Sequence, residues 1–305
     1  MDTRKDPALS MVFVYTALAL GFSVLYWLLI TLARRGSLPF AMGPPDFSLE
    51  KSSVPGLICA LGLRSFGPAL AAIITLYFFE GRAGLSGLWR SMTLFRLPVS
   101  LYALAVLAPL AVSGLIAALG LYSGRLQYAS GQVQPLRFAV FFILMLIFDG
   151  PLGEEPGWRG LLLPRLLARM GPVAASFLVG LEWFVWHLPL YLADGRDLHP
   201  LGYLVNVVAL SYVFTWFYIK SGRSTWMTVF LHATTNYALF LLIKSFHYTS
   251  ADVVQLQRVY DAVLVIAAFV VAWDLRRMGT PEPRLDETDG RQTESHQARQ
   301  EKGKG

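Results

Sequence analysis

Few residues of this chain combine a type and a spacing that could do chemistry. They are Glu154 and Glu155 in "GEEPGWRG", Arg159 four positions on, His187 in "WFVWHLP", and His232 with Asn236 in "HATTN". A carboxylate beside a histidine is a workable general base, and an asparagine amide is a neutral donor to a developing oxyanion. These groups must be brought together by the elements that carry them, and those elements are apolar almost throughout.

Hydrophobic residues make up 55% of the 305 positions and charged residues 15%. A soluble domain is nearer ~45–50% apolar and ~25% charged, so the balance points to a membrane protein. A bilayer core takes about 20 apolar residues per helix. Segments 10–33, 54–79, 97–122, 172–192, 201–219, 224–243 and 256–273 meet or approach that length, and another runs from Phe138 onward. The expected fold is an all-α polytopic transmembrane bundle of about eight helices, spanning residues 10–278. A short N-terminal tail (1–9) and a disordered hydrophilic C-terminal tail (279–305) flank it. The first span is too long for a signal-peptide core and is read as retained.

The formal net charge of +6 is distributed by loop and is not a nucleic-acid signal. Arg4, Lys5, Arg82, Arg90, Arg96, Arg165, Arg169, Lys220, Arg223, Arg276 and Arg277 all fall on one side of an eight-span chain. The positive-inside tendency then makes both termini cytoplasmic, in a protein expected in the plasma membrane. Residues 84–96, "GLSGLWRSMTLFR", mix apolar and basic positions at helical spacing. They suit a helix along the interface, with Trp89 and Phe95 turned to the apolar layer. The single cysteine, Cys59, has no partner for an intrachain disulfide.

Ionisable residues at membrane depth are functional candidates by default. Here they are Arg64, Asp149, Glu154, Glu155, Arg159, Glu182, His187 and His232. "RLLARMGP" at 165–172 reads as a helix-to-helix turn. Glu154 lies 17 residues before Gly171 and His187 lies 16 after it, so at ~1.5 Å per residue both stand at similar depth on adjacent antiparallel helices. His232 and Asn236 share a helix face. Glu154 and Glu155 diverge by ~100°; Glu155 and Arg159, at i,i+4, suit an ion pair, which leaves Glu154 the freer carboxylate. Pro156 cannot donate to the Leu152 carbonyl, so the helix should kink beside the carboxylates. Gly150, Gly153 and Gly157 should add backbone freedom there. Each piece alone has a plainer reading: a charge cluster at a helix end, an interfacial histidine, polar groups bonded to backbone. Trp183 and Trp186 read as packing residues, and Arg64 with Glu182 as a buried ion pair or snorkelling groups. Joint occurrence at matched depth favours a site.

These residues resemble the motifs of the CPBP family, which includes the CAAX prenyl endopeptidases. "EEPGWRG" fits its Glu-Glu-x-x-x-Arg motif, Trp183-x-x-x-His187 its aromatic-and-histidine motif, and "HATTN" its His-x-x-x-Asn motif. "SFGPALAA" at 65–72 resembles a segment of an early family span. The resemblance is specific over 149–236. It departs at Trp183, where phenylalanine is commoner, and at Glu182, where apolar residues are usual.

The resemblance implies an intramembrane endopeptidase in which Glu154 and His187 activate a water and His232 and Asn236 stabilise the oxyanion. Glu155 and Arg159 would support them. It also allows a metalloendopeptidase, with Zn2+ on Glu154, His187 and His232. No His-Glu-x-x-His helix is present, and a metal-free mechanism uses the same residues. The implied partners are membrane lipid and a membrane-associated or lipidated protein substrate, with no nucleic acid. The alternative is a non-catalytic immunity or scaffold protein that keeps the cavity for binding. A transporter is disfavoured, because no paired repeat of broken segments is evident.

Overall fold

The computed structural model describes residues 7–42, 53–128, 135–148, 150–194, 200–247 and 249–278. The tails 1–6 and 279–305 and Asp149 lie outside these. The described residues are almost wholly helical. Helix α1 is Pro7–Arg34; α2 is Val54–Cys59, continued by a π-helical turn Ala60–Ser65; α3 is Gly67–Met92 and α4 Val99–Tyr122. Next come α5 (Pro135–Phe148), α6 (Pro151–Gly157), a second π-helical turn (Trp158–Leu162) and α7 (Leu163–Leu167). Helices α8 (Pro172–Asp194), α9 (Pro200–Lys220), α10 (Thr225–Ser245) and α11 (Ser250–Arg277) complete the bundle. A two-residue pairing of β1 (Gln127–Tyr128) with β2 (Phe246–His247) ties α4 to the end of α10.

Seven of these helices are long and apolar enough to cross a membrane: α1, α3, α4, α8, α9, α10 and α11. The span expected from Phe138 onward is the exception in kind. It is broken at Gly150, whose φ of 103° no L side chain adopts readily, into α5 and the run α6–α7. The expected span 54–79 is also in two pieces. Pro68 at the second position of α3 has no N–H to continue α2, so the chain breaks at Phe66. Helix α3 then bends at Gly81, where φ is 61°.

The polypeptide packs α8 on α1 and α9, α11 on α9, α10 on α4, and α3 on α1 and α6. Helices α4 and α10 run parallel, with Tyr102 against Phe230 and the Thr234 hydroxyl donating to the Ala105 carbonyl. Large apolar side chains such as Phe13, Leu107, Phe269 and Val270 stay exposed on the outside. In a bilayer that is the surface lipid covers, and the backbone behind it is satisfied within the helices.

Helix α6 reaches its place because it carries Gly153 and Gly157 on one face. A Cβ at 153 would overlap the Ser65 carbonyl oxygen, and one at 157 would overlap the Tyr15 hydroxyl and come within 2.7 Å of the Pro68 carbonyl oxygen. These glycines therefore allow close backbone approach, the small-xxx-small device of membrane helices. They were expected to loosen the backbone; of the three, only Gly150 takes a positive φ. "SFGPALAA" is the other half of this seam. Gly153→Ala is expected to destabilise the fold by about 2–3 kcal/mol, read as a lowered melting temperature; an unchanged one would show that the seam can relax.

Candidate active site

The α6–α7 run and α8 are joined by the turn around Gly171, so they lie antiparallel and bring "GEEPGWRG" beside "WFVWHLP". Pro156 leaves the Leu152 carbonyl without its helical donor, and the backbone answers with the π turn Trp158–Leu162 directly after it. The distortion expected at the proline is thus a change of helix pitch, while the sharp break lies upstream at Gly150.

The two carboxylates point apart, as neighbours on a helix must. Glu154 is buried and its Oε2 accepts the indole N–H of Trp183 at 2.7 Å and that of Trp158 at 3.4 Å. Glu155 is fully buried. Arg159 Nη1 donates to both its oxygens, at 3.0 and 3.1 Å. The guanidinium lies against two rings that also touch each other, 4.9 Å from the Trp183 centroid and 4.8 Å from that of Phe214. An ion pair at zero exposure is tolerable only with such hydrogen-bond and cation–π support.

His232 enters from α10, and its Nδ1 lies 2.9 Å from Glu155 Oε1. The oxygen that takes the arginine therefore also holds the histidine. Its ring packs edge-on against Trp183 at 5.4 Å and Phe214 at 5.5 Å. Asn236 follows one turn later on the same face, half-buried. His187 places Nδ1 2.8 Å from the Trp183 carbonyl, and its ring is boxed by Trp186 and Tyr203. An Nδ1–H donated to that carbonyl leaves Nε2 as the acceptor, the tautomer a general base needs. Glu182 bonds Thr16 of α1.

Trp183 links the candidates: it donates to Glu154, accepts from His187, and covers Arg159 and the His232 ring. Sequence reasoning placed it among packing residues. The available signal was that an indole at membrane depth must find an acceptor for its N–H. Trp183→Phe keeps the ring and removes the bond to Glu154. We expect about a tenfold loss of any turnover together with a destabilisation of about 1–3 kcal/mol, measured as kcat and melting temperature side by side.

Zinc would need three or more convergent protein ligands. Among the described residues no three His, Cys, Asp or Glu side chains are grouped to hold a metal ion. The Nδ1 atoms of both histidines and Oε2 of Glu154 are engaged by protein groups, so a metal would have to be met by the Nε2 atoms and Glu154 Oε1. As arranged, the three side chains are not grouped to hold zinc, and no step below runs through one.

The sequence model of the type II CAAX prenyl endopeptidase Rce1-like family matches residues 135–238. The chain is also similar to a CAAX prenyl protease 2 of Methanococcus maripaludis, at 25% identity over 103 residues, which cover 31% of this chain and 38% of that relative. The match ends at Ala238, just past Asn236, so it takes in Glu154, Glu155, Arg159, His187, His232 and Asn236. Residues 135–238, the segment that builds the site, are thus similar to the type II CAAX prenyl endopeptidase Rce1-like family, the likeness that the motifs pointed to.

Proposed function

We propose that this chain is an intramembrane endopeptidase that hydrolyses peptide bonds of a membrane-associated or lipidated protein. The observation that carries the proposal is the double engagement of Trp183, whose indole N–H holds Glu154 and whose carbonyl holds His187. Glu154 and His187 take the proton of a water as it attacks the scissile carbonyl. His232 meets the oxyanion as an imidazolium, with Glu155 behind its Nδ1, and Asn236 adds a neutral donor. In a site shielded from bulk water such donors are worth far more than in solution. Collapse of the tetrahedral intermediate returns the proton to the leaving amine through the same Glu154–His187 pair. The test is comparative proteomics of cells carrying wild type or Glu154→Ala. Cleavage products of membrane proteins should disappear from the variant, and identical product sets would overturn the reading.

A metal-free route carries its own expectation. Chelation with EDTA or 1,10-phenanthroline should leave cleavage by the purified chain within about twofold, far below the 10²–10⁴-fold contribution of a general base. Stoichiometric zinc in the active protein, with activity lost on its removal and restored on its return, would reverse this assignment.

A further inference from the structure

The bend at Gly81 creates an element that hydrolysis does not use. Leu76 Cδ2 would stand 3.3 Å from a Cβ at Gly84, whereas eight residues of straight helix would separate those positions by about 12 Å along the axis. The chain from Arg82 to Met92 therefore turns away from the line of the preceding helix, at the end where Arg165 pairs with Glu80. Its buried side is Gly84 and Leu88 with the half-buried Ser91. Its outer side carries Arg82, Trp89 and Arg90, and Arg96 follows in the connection to α4; all four are exposed. At ~100° per residue, Trp89 and Arg90 fall about 20° and 80° from Arg82, one on each side. None of the three arginines makes an ion pair among the described residues. Trp89 is 69% exposed. Unpaired cations interleaved with an exposed tryptophan, at the boundary of a membrane span, suit phosphate headgroups above and acyl chains below.

The inner side of this element is fastened to the candidate site. Leu88 lies against Gly160 in the π turn, where a Cβ would overlap its Cδ1. The Ser91 and Thr225 hydroxyls are 2.9 Å apart. Ser224, the N-cap of α10, donates to the Leu94 carbonyl at 2.9 Å, and Phe95 meets Trp226 edge-on at 4.9 Å. His232 stands two turns further along the same helix.

We propose that the Arg82–Arg96 segment is a docking platform for anionic phospholipid headgroups, and that its seating steadies the first turn of α10. The inference rests on the membrane reading alone and is independent of proteolysis. Each basic residue near an anionic surface contributes about fivefold, so three give a preference on the order of 10² over a zwitterionic lipid.

The full chain in detergent is titrated with phosphatidylglycerol or phosphatidylcholine, and bound lipid is counted by native mass spectrometry. Wild type should prefer phosphatidylglycerol by about that factor, and the preference should shrink as salt rises from about 50 to 500 mM. Arg82→Gln/Arg90→Gln/Arg96→Gln should erase it, whereas Arg276→Gln/Arg277→Gln should not. Equal binding of the two lipids, a salt-independent preference, or its survival in the triple variant overturns the platform. Hydrogen exchange over 226–231 should slow when phosphatidylglycerol binds wild type and respond less in Ser91→Ala. Unchanged exchange in wild type overturns the coupling to α10.

Discussion

Purified Glu154→Gln protein is expected to cleave a verified substrate about 10³-fold more slowly than wild type, within the range a positioned general base contributes. The substitution is nearly isosteric, and its amide oxygen can still accept the Trp183 N–H, so the melting temperature should barely move. That pairing of outcomes makes the test sharp. A loss of activity with lost stability would report only on folding. Full activity would remove Glu154 from the chemistry and favour a binding role for the site. His187→Gln should show a comparable loss, and the double variant should lose little more, because two groups acting on one proton are not additive.

The second large effect falls on stability. Arg159→Met strands Glu155 at zero exposure, with His232 and the Thr228 hydroxyl beside it but no fixed cation. Removing one partner of a buried pair costs about 3–5 kcal/mol. Glu155→Gln/Arg159→Met, which removes both charges, should recover much of that loss. Arg159→Lys should recover only part of the loss, because an ammonium lacks the flat face that packs against Trp183 and Phe214. Thermal unfolding in detergent reads all three. Equal stability of Arg159→Met and wild type would show that water reaches Glu155 and that the site is wetter than its burial implies.

Much of this arrangement was legible in the sequence because membrane burial leaves few polar residues to choose among. The matched depth of Glu154 and His187 followed from counting around Gly171, and the Glu155–Arg159 pair followed from i,i+4 spacing. The His232–Glu155 contact was not legible, since it joins helices 77 residues apart and no local period encodes such a distance. The role of Gly153 and Gly157 was misread for a similar reason. Permissive backbone and close approach both select glycine, and only the neighbouring Ser65–Pro68 backbone distinguishes them. Seven helices among the described residues are long and apolar enough to span, in keeping with about eight, and Gly150 divides the remaining apolar run, whose hydrophobicity alone looks continuous.

The π turn Trp158–Leu162 has one more consequence. A π turn amounts to a single residue inserted into an α-helix, so it works as a phase shifter between the two ends of the motif run. Deleting one residue there, Gly160 for instance, would restore regular pitch and leave every polar side chain in the sequence. It would also rotate α6 against α7 by about 100° and shift it by about 1.5 Å. Glu155 could not then face His232 while α7 kept its seat. The motif's composition would survive intact while its geometry was lost, so the spacing inside "PGWRGLL" carries as much information as the charges themselves.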